Sequence, residues 1–142
     1  MTQEQKQLLL TVLCAMLQYK IIGQYVLGEQ KYGEPEELLN LDIQTGKVDC
    51  SDSTPYDVEN FKPYLRPMSS MTEEEKEKLL SIIREETHII CEKLKNNDCG
   101  IEEGKYHFYN ILELDFLLSH HFDYRGLIDK GLALEAPEGM YH

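Results

Sequence analysis

The stretch Leu8-Leu9-Leu10-Thr11-Val12-Leu13-Cys14-Ala15-Met16-Leu17-Gln18-Tyr19-Lys20-Ile21-Ile22-Gly23-Gln24-Tyr25-Val26-Leu27 changes its hydrophobic rhythm halfway along, and that change decides the fold class. Up to Leu17 the apolar residues Leu9, Val12, Leu13, Met16 and Leu17 recur at helical spacing, which predicts an amphipathic helix over 3–17. From Gln18 the chain turns β-branched and aromatic, which suits a strand reaching Leu27. A helix running into a strand opens an α+β domain.

Gly28 to Pro35 is polar, with two glycines and a proline, and reads as a loop. Leu39, Leu41 and Ile43 then alternate loosely. Gln44-Thr45-Gly46-Lys47 reads as a hairpin turn, with Val48 and Asp49 beginning the returning strand and Ser51 to Pro55 a further loop. In Phe61-Lys62-Pro63-Tyr64-Leu65-Arg66-Pro67 each proline lacks a donor and biases the residue before it away from helix. This segment is expected to be an extended connector lying across the surface rather than a central strand.

The clearest helix signal lies over Thr72 to about Lys95. Thr72 and Glu75 make a capping box, and Glu73, Glu74 and Glu75 suit the positive end of the helix dipole. Leu79, Ile82, Ile83, Ile90 and Leu94 line one face, wide enough to serve a homo-oligomer as well as a core. Asn96-Asn97-Asp98-Cys99-Gly100 stops it. Lys105 to Tyr109 suits a short strand. Asn110 with Glu113 caps a helix over 111–121, with Leu114, Leu117, Leu118 and His121 on one face. Gly126 and Gly131 bracket a short helical turn, and Leu132-Ala133-Leu134 forms a last strand before Pro137. The expected fold is one α+β domain over 1–142: N-terminal helix, small antiparallel sheet, long central helix, and a C-terminal helix with a short terminal strand.

A chain of 142 residues can bury a core without metal or disulfide staples. Fourteen basic against 26 acidic residues give a net charge of −12, which disfavours direct contact with nucleic acid or an anionic membrane. No run approaches the roughly 18 apolar residues of a membrane span. The apolar run 8–17 follows a charge-balanced start and has no small-x-small site after it, so it reads as a buried helix of a cytoplasmic protein. Cys14, Cys50, Cys91 and Cys99 lack C-x-x-C spacing and are expected as free thiols.

The densest chemistry is His120-His121-Phe122-Asp123-Tyr124-Arg125. Adjacent helical residues project about 100° apart, so His120 and His121 are a poor chelate. His120 with Asp123 would need further ligands such as His107 or His88, and no metal or cofactor is expected. Catalysis has residue types in His120, Asp123 and Tyr124 but no recognised motif, and Gly100 to Gly104 is too acidic to cradle phosphate. Arg66 and Arg125 are two of the three arginines, each near a tyrosine, Tyr64 and Tyr124. A guanidinium fork beside a stacking face suits phosphate or carboxylate. Tyr64, Arg66, His120, Asp123, Tyr124 and Arg125 are therefore the candidate ligand- or partner-binding set.

The block Phe61-Lys62-Pro63-Tyr64-Leu65-Arg66-Pro67-Met68-Ser69-Ser70-Met71-Thr72-Glu73-Glu74-Glu75, the block His120 through Tyr141, and the start Lys6 through Ala15 resemble a family of small phage and prophage proteins of gut bacteria. The stretches 24–58 and 85–110 do not take part. Members of that family often carry a Trp shortly before the paired residues ending in His. Here that region reads Asp115-Phe116-Leu117-Leu118-Ser119, and the chain has no Trp. The resemblance implies a small cytoplasmic accessory protein of a mobile element that binds a host protein, a phage protein or a small signalling molecule. The first reading is a non-enzymatic protein that binds a host or phage partner, with anti-defence as the specific expectation. The alternatives are a sponge for an anionic nucleotide-like small molecule and a small hydrolase-like enzyme using the His120, Asp123 and Tyr124 region.

Overall fold

The computed structural model describes residues 1–50, 54–83 and 112–141, and has the expected α+β composition. The chain divides into two compact units, one of residues 1–68 and 118–142 and the other of residues 69–117.

The first unit opens with helix α1, Gln3–Met16. Thr2 caps it: its hydroxyl accepts from the Gln5 amide at 3.1 Å and the Gln5 side chain accepts from the Thr2 amide at 3.0 Å. The helix buries Leu9, Leu10, Val12, Leu13 and Met16. A 3₁₀ turn over Leu17–Tyr19 follows, ending at Lys20 in the left-handed region, so the strand begins later than the β-branched composition suggests.

Strand β1 is Ile22–Leu27, β2 Gln30–Asp42, β3 Lys47–Cys50, β4 Tyr56–Asp57, β5 Phe61–Leu65 and β6 Leu134–Glu135. They form one sheet in the order β4-β3-β2-β1-β5-β6. Every pairing is antiparallel except β5 with β6. Ile21, Leu38, Val48, Val58, Phe61, Leu65, Phe122 and Leu127 join the α1 face in the core.

Two expectations are overturned. Gly28 to Pro35 is not a loop: Leu27 pairs with Gln30 across a two-residue turn, with Gly28 at φ +64°, and β2 then runs on through Gly33 and Pro35. The strand tolerates both because its register with β1 breaks there, between the Tyr25–Tyr32 and Gly23–Glu36 pairs. Buried Gln24 repairs the gap, its carboxamide donating to the carbonyls of Tyr32 at 2.7 Å and Gly33 at 2.9 Å and accepting from the Tyr64 hydroxyl at 3.2 Å.

The segment 61–67 is likewise no surface connector. Residues 61–65 are β5, between β1 and β6, with Phe61, Pro63, Tyr64 and Leu65 buried. Pro63 lies opposite Gly23. Proline cannot donate, so Lys62 and Gln24 form the rung that exchanges hydrogen bonds, and the Pro63 nitrogen faces away from β1. On that other side β6 pairs only from Tyr64 onward, so the ladder loses nothing. Gly23 serves the same contact: a Cβ there would lie 2.1 Å from the Phe61 ring.

The turn before Lys47 is as expected, with Asp42 accepting from the amides of Gln44 and Thr45 at 3.0 and 3.2 Å. Those amides hold the Asp42 carboxyl below its ordinary range.

In the second unit the helix over 73–83 (α2) starts as expected. The Thr72 amide donates to Glu75 at 3.0 Å, and the Glu75 amide to the Thr72 hydroxyl at 3.2 Å. The continuation to Lys95, its stop at 96–100, the 105–109 strand, the Asn110 cap, His88, His107, Cys91 and Cys99 lie outside the described residues. Cys14 and Cys50 are free. Among the described residues no helix is long and apolar enough to cross a membrane.

Candidate functional site

Helix α3 is described over 112–119 and ends two residues before the expected 121. The His121 amide closes its last turn on the Leu118 carbonyl at 3.0 Å, and His121 itself takes φ +61°. It therefore leaves the helical face shared by Leu114, Leu117 and Leu118. A non-glycine residue in this region is held there by its surroundings. The surroundings are visible: Arg66, just past β5, donates its amide to the His121 carbonyl at 2.8 Å and accepts from the Asp123 amide at 2.8 Å. The two segments singled out in the sequence, 61–67 and 120–128, thus run side by side.

Around this junction lies a cleft of about 410 Å³ lined by Tyr19, Lys20, Ile22, Arg66, Ser119, His120, His121, Met140 and Tyr141. Each part comes from an element end. Tyr19 and Lys20 close the turn after α1, Ile22 starts β1, Ser119 to His121 end α3, and Met140 with Tyr141 come from the C-terminal segment. Lys20 at φ +56° and His121 are the two non-glycine residues with positive φ among the described residues.

Tyr141 is the keystone. Its hydroxyl accepts from the Ile22 amide at 3.0 Å and lies 2.7 Å from the Tyr64 carbonyl and 3.2 Å from the Ile22 carbonyl. Continuing the β1–β5 register places Tyr64 opposite Ile22, where the next rung would form. The phenol oxygen takes the place of that rung. Burial pushes the Tyr141 phenol well above its ordinary value, so it stays protonated and donates. The His121 ring lies against this phenol, and its Nε2 meets the Tyr19 carbonyl at the open end of the 3₁₀ turn. A carbonyl only accepts, so Nε2 carries the proton. Burial holds the His121 imidazole below its ordinary value, outweighing the pull of the Tyr19 and Lys20 carbonyls, so this ring is neutral near pH 7.

Lys20 and Arg66 bring positive charge to the cleft wall, and among the described lining residues none is acidic. The Arg66 guanidinium lies 4.2 Å from the centroid of the Phe122 ring, and the His120 ring stacks on the same phenyl at 6.3 Å. The Ser119 hydroxyl lies 3.2 Å from His120 Nδ1.

Of the six residues singled out in the sequence, Arg66 and His120 line the cleft. Tyr64 does not: it is buried beneath the sheet surface, with Lys31 over its ring at 5.7 Å. Asp123 is buried, and its two carboxylate oxygens accept from the Leu127 amide at 2.7 Å and the Ile128 amide at 2.9 Å, which fixes the turn toward Gly131. Tyr124 is half-buried with its phenol raised by burial, and Arg125 beside it is exposed. The two Tyr–Arg pairs therefore do not share one pocket, and His120, Asp123 and Tyr124 do not gather around one point of the cleft. Among the described residues no three His, Cys, Asp or Glu side chains are placed to hold a metal ion.

Sequence reasoning missed Tyr19, Lys20, Ser119 and Tyr141. Only Tyr141 had a visible signal, as a lone aromatic at the end of a polar tail. Comparison with known proteins adds no relative: no protein-family model, no curated protein and no solved structure matches the chain.

Proposed function

We propose that this protein acts by binding, and that the cleft between the ends of α1, β5 and α3 captures a small anionic molecule, a phosphate- or carboxylate-bearing compound of nucleotide-like shape. The observation that carries this reading is local charge. In a chain of net charge −12, Lys20 and Arg66 both line one cleft whose described lining residues include no acid. A guanidinium offers a planar fork to an oxyanion, and Tyr19 and His120 supply flat surfaces for a ring. A concave wall of one sign also concentrates oppositely charged ligands against the repulsion of the rest of the surface.

Catalysis is the weaker reading, because the side chains that would supply acid–base chemistry serve the fold: Asp123 holds backbone amides and His121 holds the Tyr19 carbonyl. The phage and prophage resemblance of 61–75 and 120–141 supports an accessory role in a bacterial host, in which sequestering an anionic signal is one form of anti-defence.

The test is an NMR titration of the full chain with AMP, inorganic phosphate and adenosine. The expected result is saturable shifts at Lys20, Arg66 and His120 with AMP, smaller ones with phosphate and none with adenosine. Arg66→Ala and Lys20→Ala should each weaken AMP binding about tenfold, the effect of losing one charge-assisted hydrogen bond. Shifts elsewhere, or equal response to adenosine, overturn the reading.

A further inference from the structure

A second cleft, of about 460 Å³, opens where β1, the bulged part of β2 and the start of β4 converge. Its lining carries the rings of Tyr25, Tyr32 and Tyr56 and the carboxylates of Glu34 and Glu36, with Gly33, Thr54 and Pro55 between them. Tyr25 and Tyr56 meet edge to face at 4.7 Å and 79°, and Tyr25 and Tyr32 lie 6.2 Å apart at 59°. Three rings at steep mutual angles make the walls of a corner rather than a stack. The described lining residues include no Lys, Arg or His.

The sequence builds this corner through the sheet. Tyr25 and Tyr32 are cross-strand partners, so their side chains share one face. The bulge that Gln24 holds brings Gly33, Glu34 and Glu36 to the same place. Tyr56 belongs to β4, separated from β1 by two strands in the sheet order, so its contact with Tyr25 shows that the sheet curls strongly here. The Tyr56 hydroxyl lies 3.5 Å from the Cys50 thiol, which orients the ring.

Aromatic faces and two carboxylates attract positive charge, while the apolar walls disfavour a cation that holds its water tightly. The fitting ligand is a weakly hydrated organic cation. We propose that this cleft binds a quaternary ammonium group, of the kind carried by choline and by Nε-trimethyllysine. It is a separate site from the Lys20–Arg66 cleft, of opposite polarity, and does not depend on that one being occupied.

The test uses the full chain at constant ionic strength, with tyrosine ring and amide resonances followed by NMR. Tetramethylammonium should give saturable shifts at Tyr25, Tyr32 and Tyr56, whereas tert-butanol, similar in size but uncharged, should give none. Tyr32 is 43% exposed, so Tyr32→Leu keeps apolar bulk in a position that does not hold the core. It should weaken tetramethylammonium binding about threefold to tenfold. The Glu34→Gln, Glu36→Gln double variant should weaken it further while leaving the circular dichroism spectrum unchanged. Choline, phosphocholine and trimethyllysine amide then separate the sources: tighter binding of trimethyllysine amide assigns a methylated side chain, and tighter binding of either choline compound assigns a choline-bearing molecule. No saturable shift with tetramethylammonium, an equal response to tert-butanol, or undiminished binding by folded Tyr32→Leu overturns the proposal.

Discussion

The imidazole of His121 lies flat on the phenol of Tyr141, with ring centroids 3.7 Å apart and planes 7° from parallel. Through this pair the end of α3 and the C-terminal segment are tied to the rest of the sheet unit, because Tyr141 bonds to β1 and β5 while His121 bonds to the turn after α1.

Removing the Tyr141 hydroxyl should therefore weaken the sheet and not just the tail. Tyr141→Phe keeps the stack on His121 but leaves the Ile22 amide and the Tyr64 carbonyl without this partner. The expected cost is about 1–3 kcal/mol, the penalty for stranding buried polar groups. It should appear in urea denaturation as a lower midpoint at unchanged slope. A midpoint equal to that of the parent would show that the hydroxyl is not holding the two strands.

His121 should make stability depend on pH. Its folded imidazole titrates below the ordinary value of about 6.5, because burial penalises the charged ring. Below that value the unfolded chain binds more protons than the folded one, so stability falls as pH drops from about 7 until the folded imidazole itself titrates. Above pH 7 both states are neutral at this position and the effect vanishes. Denaturation midpoints between pH 5 and 8 should fall toward acid, and His121→Asn, which tolerates the left-handed backbone, should flatten that slope. Parallel profiles for parent and variant would assign the acid sensitivity to other groups.

Gly23 is required by a neighbour's volume. An alanine methyl would lie 2.1, 2.5 and 2.8 Å from three ring carbons of Phe61, which is wholly buried. Gly23→Ala should cost about 1–3 kcal/mol or more by overpacking. Combining it with Phe61→Leu should cost less than the sum of the two single changes, since one relieves the clash made by the other. Strict additivity in the double-mutant cycle contradicts this.

Asp123 belongs to the fold and not to the cleft. Asp123→Ala strands the Leu127 and Ile128 amides and should destabilise by about 3 kcal/mol, as expected for hydrogen bonds to a charged acceptor. At temperatures where the variant remains folded, its affinity for AMP should match the parent's within about twofold. A large loss of affinity without loss of stability would place the carboxylate at the ligand.

Elements with local periodicity were legible from the sequence. Leu9, Val12, Leu13 and Met16 announce α1, Thr72 with Glu75 announces α2, and Gln44 to Lys47 announces a hairpin. Strand β2 was hidden because Gly33 and Pro35 carry loop chemistry, and what makes them acceptable is the side chain of Gln24, a residue on another strand. Strand β5 was hidden for a related reason: whether Pro63 breaks a ladder depends on which side its nitrogen faces, a property of register rather than of local propensity. At the cleft, Arg66 and His120 stood out by residue type. Lys20, Tyr19 and Tyr141 did not, because their role arises only when three chain ends close on one another. Tyr124 and Arg125 had the right chemistry, but the turn held by Asp123 leaves them off the cleft.

Arg66 and Phe122 form a parallel β-bridge, so the strand that leaves the sheet unit before residue 69 and the chain that returns after residue 117 are adjacent. The intervening segment is topologically an insertion, entering and leaving through a single doorway. Every described lining residue of the two clefts belongs to the sheet unit. The described walls of both clefts are thus built by chain outside this insertion.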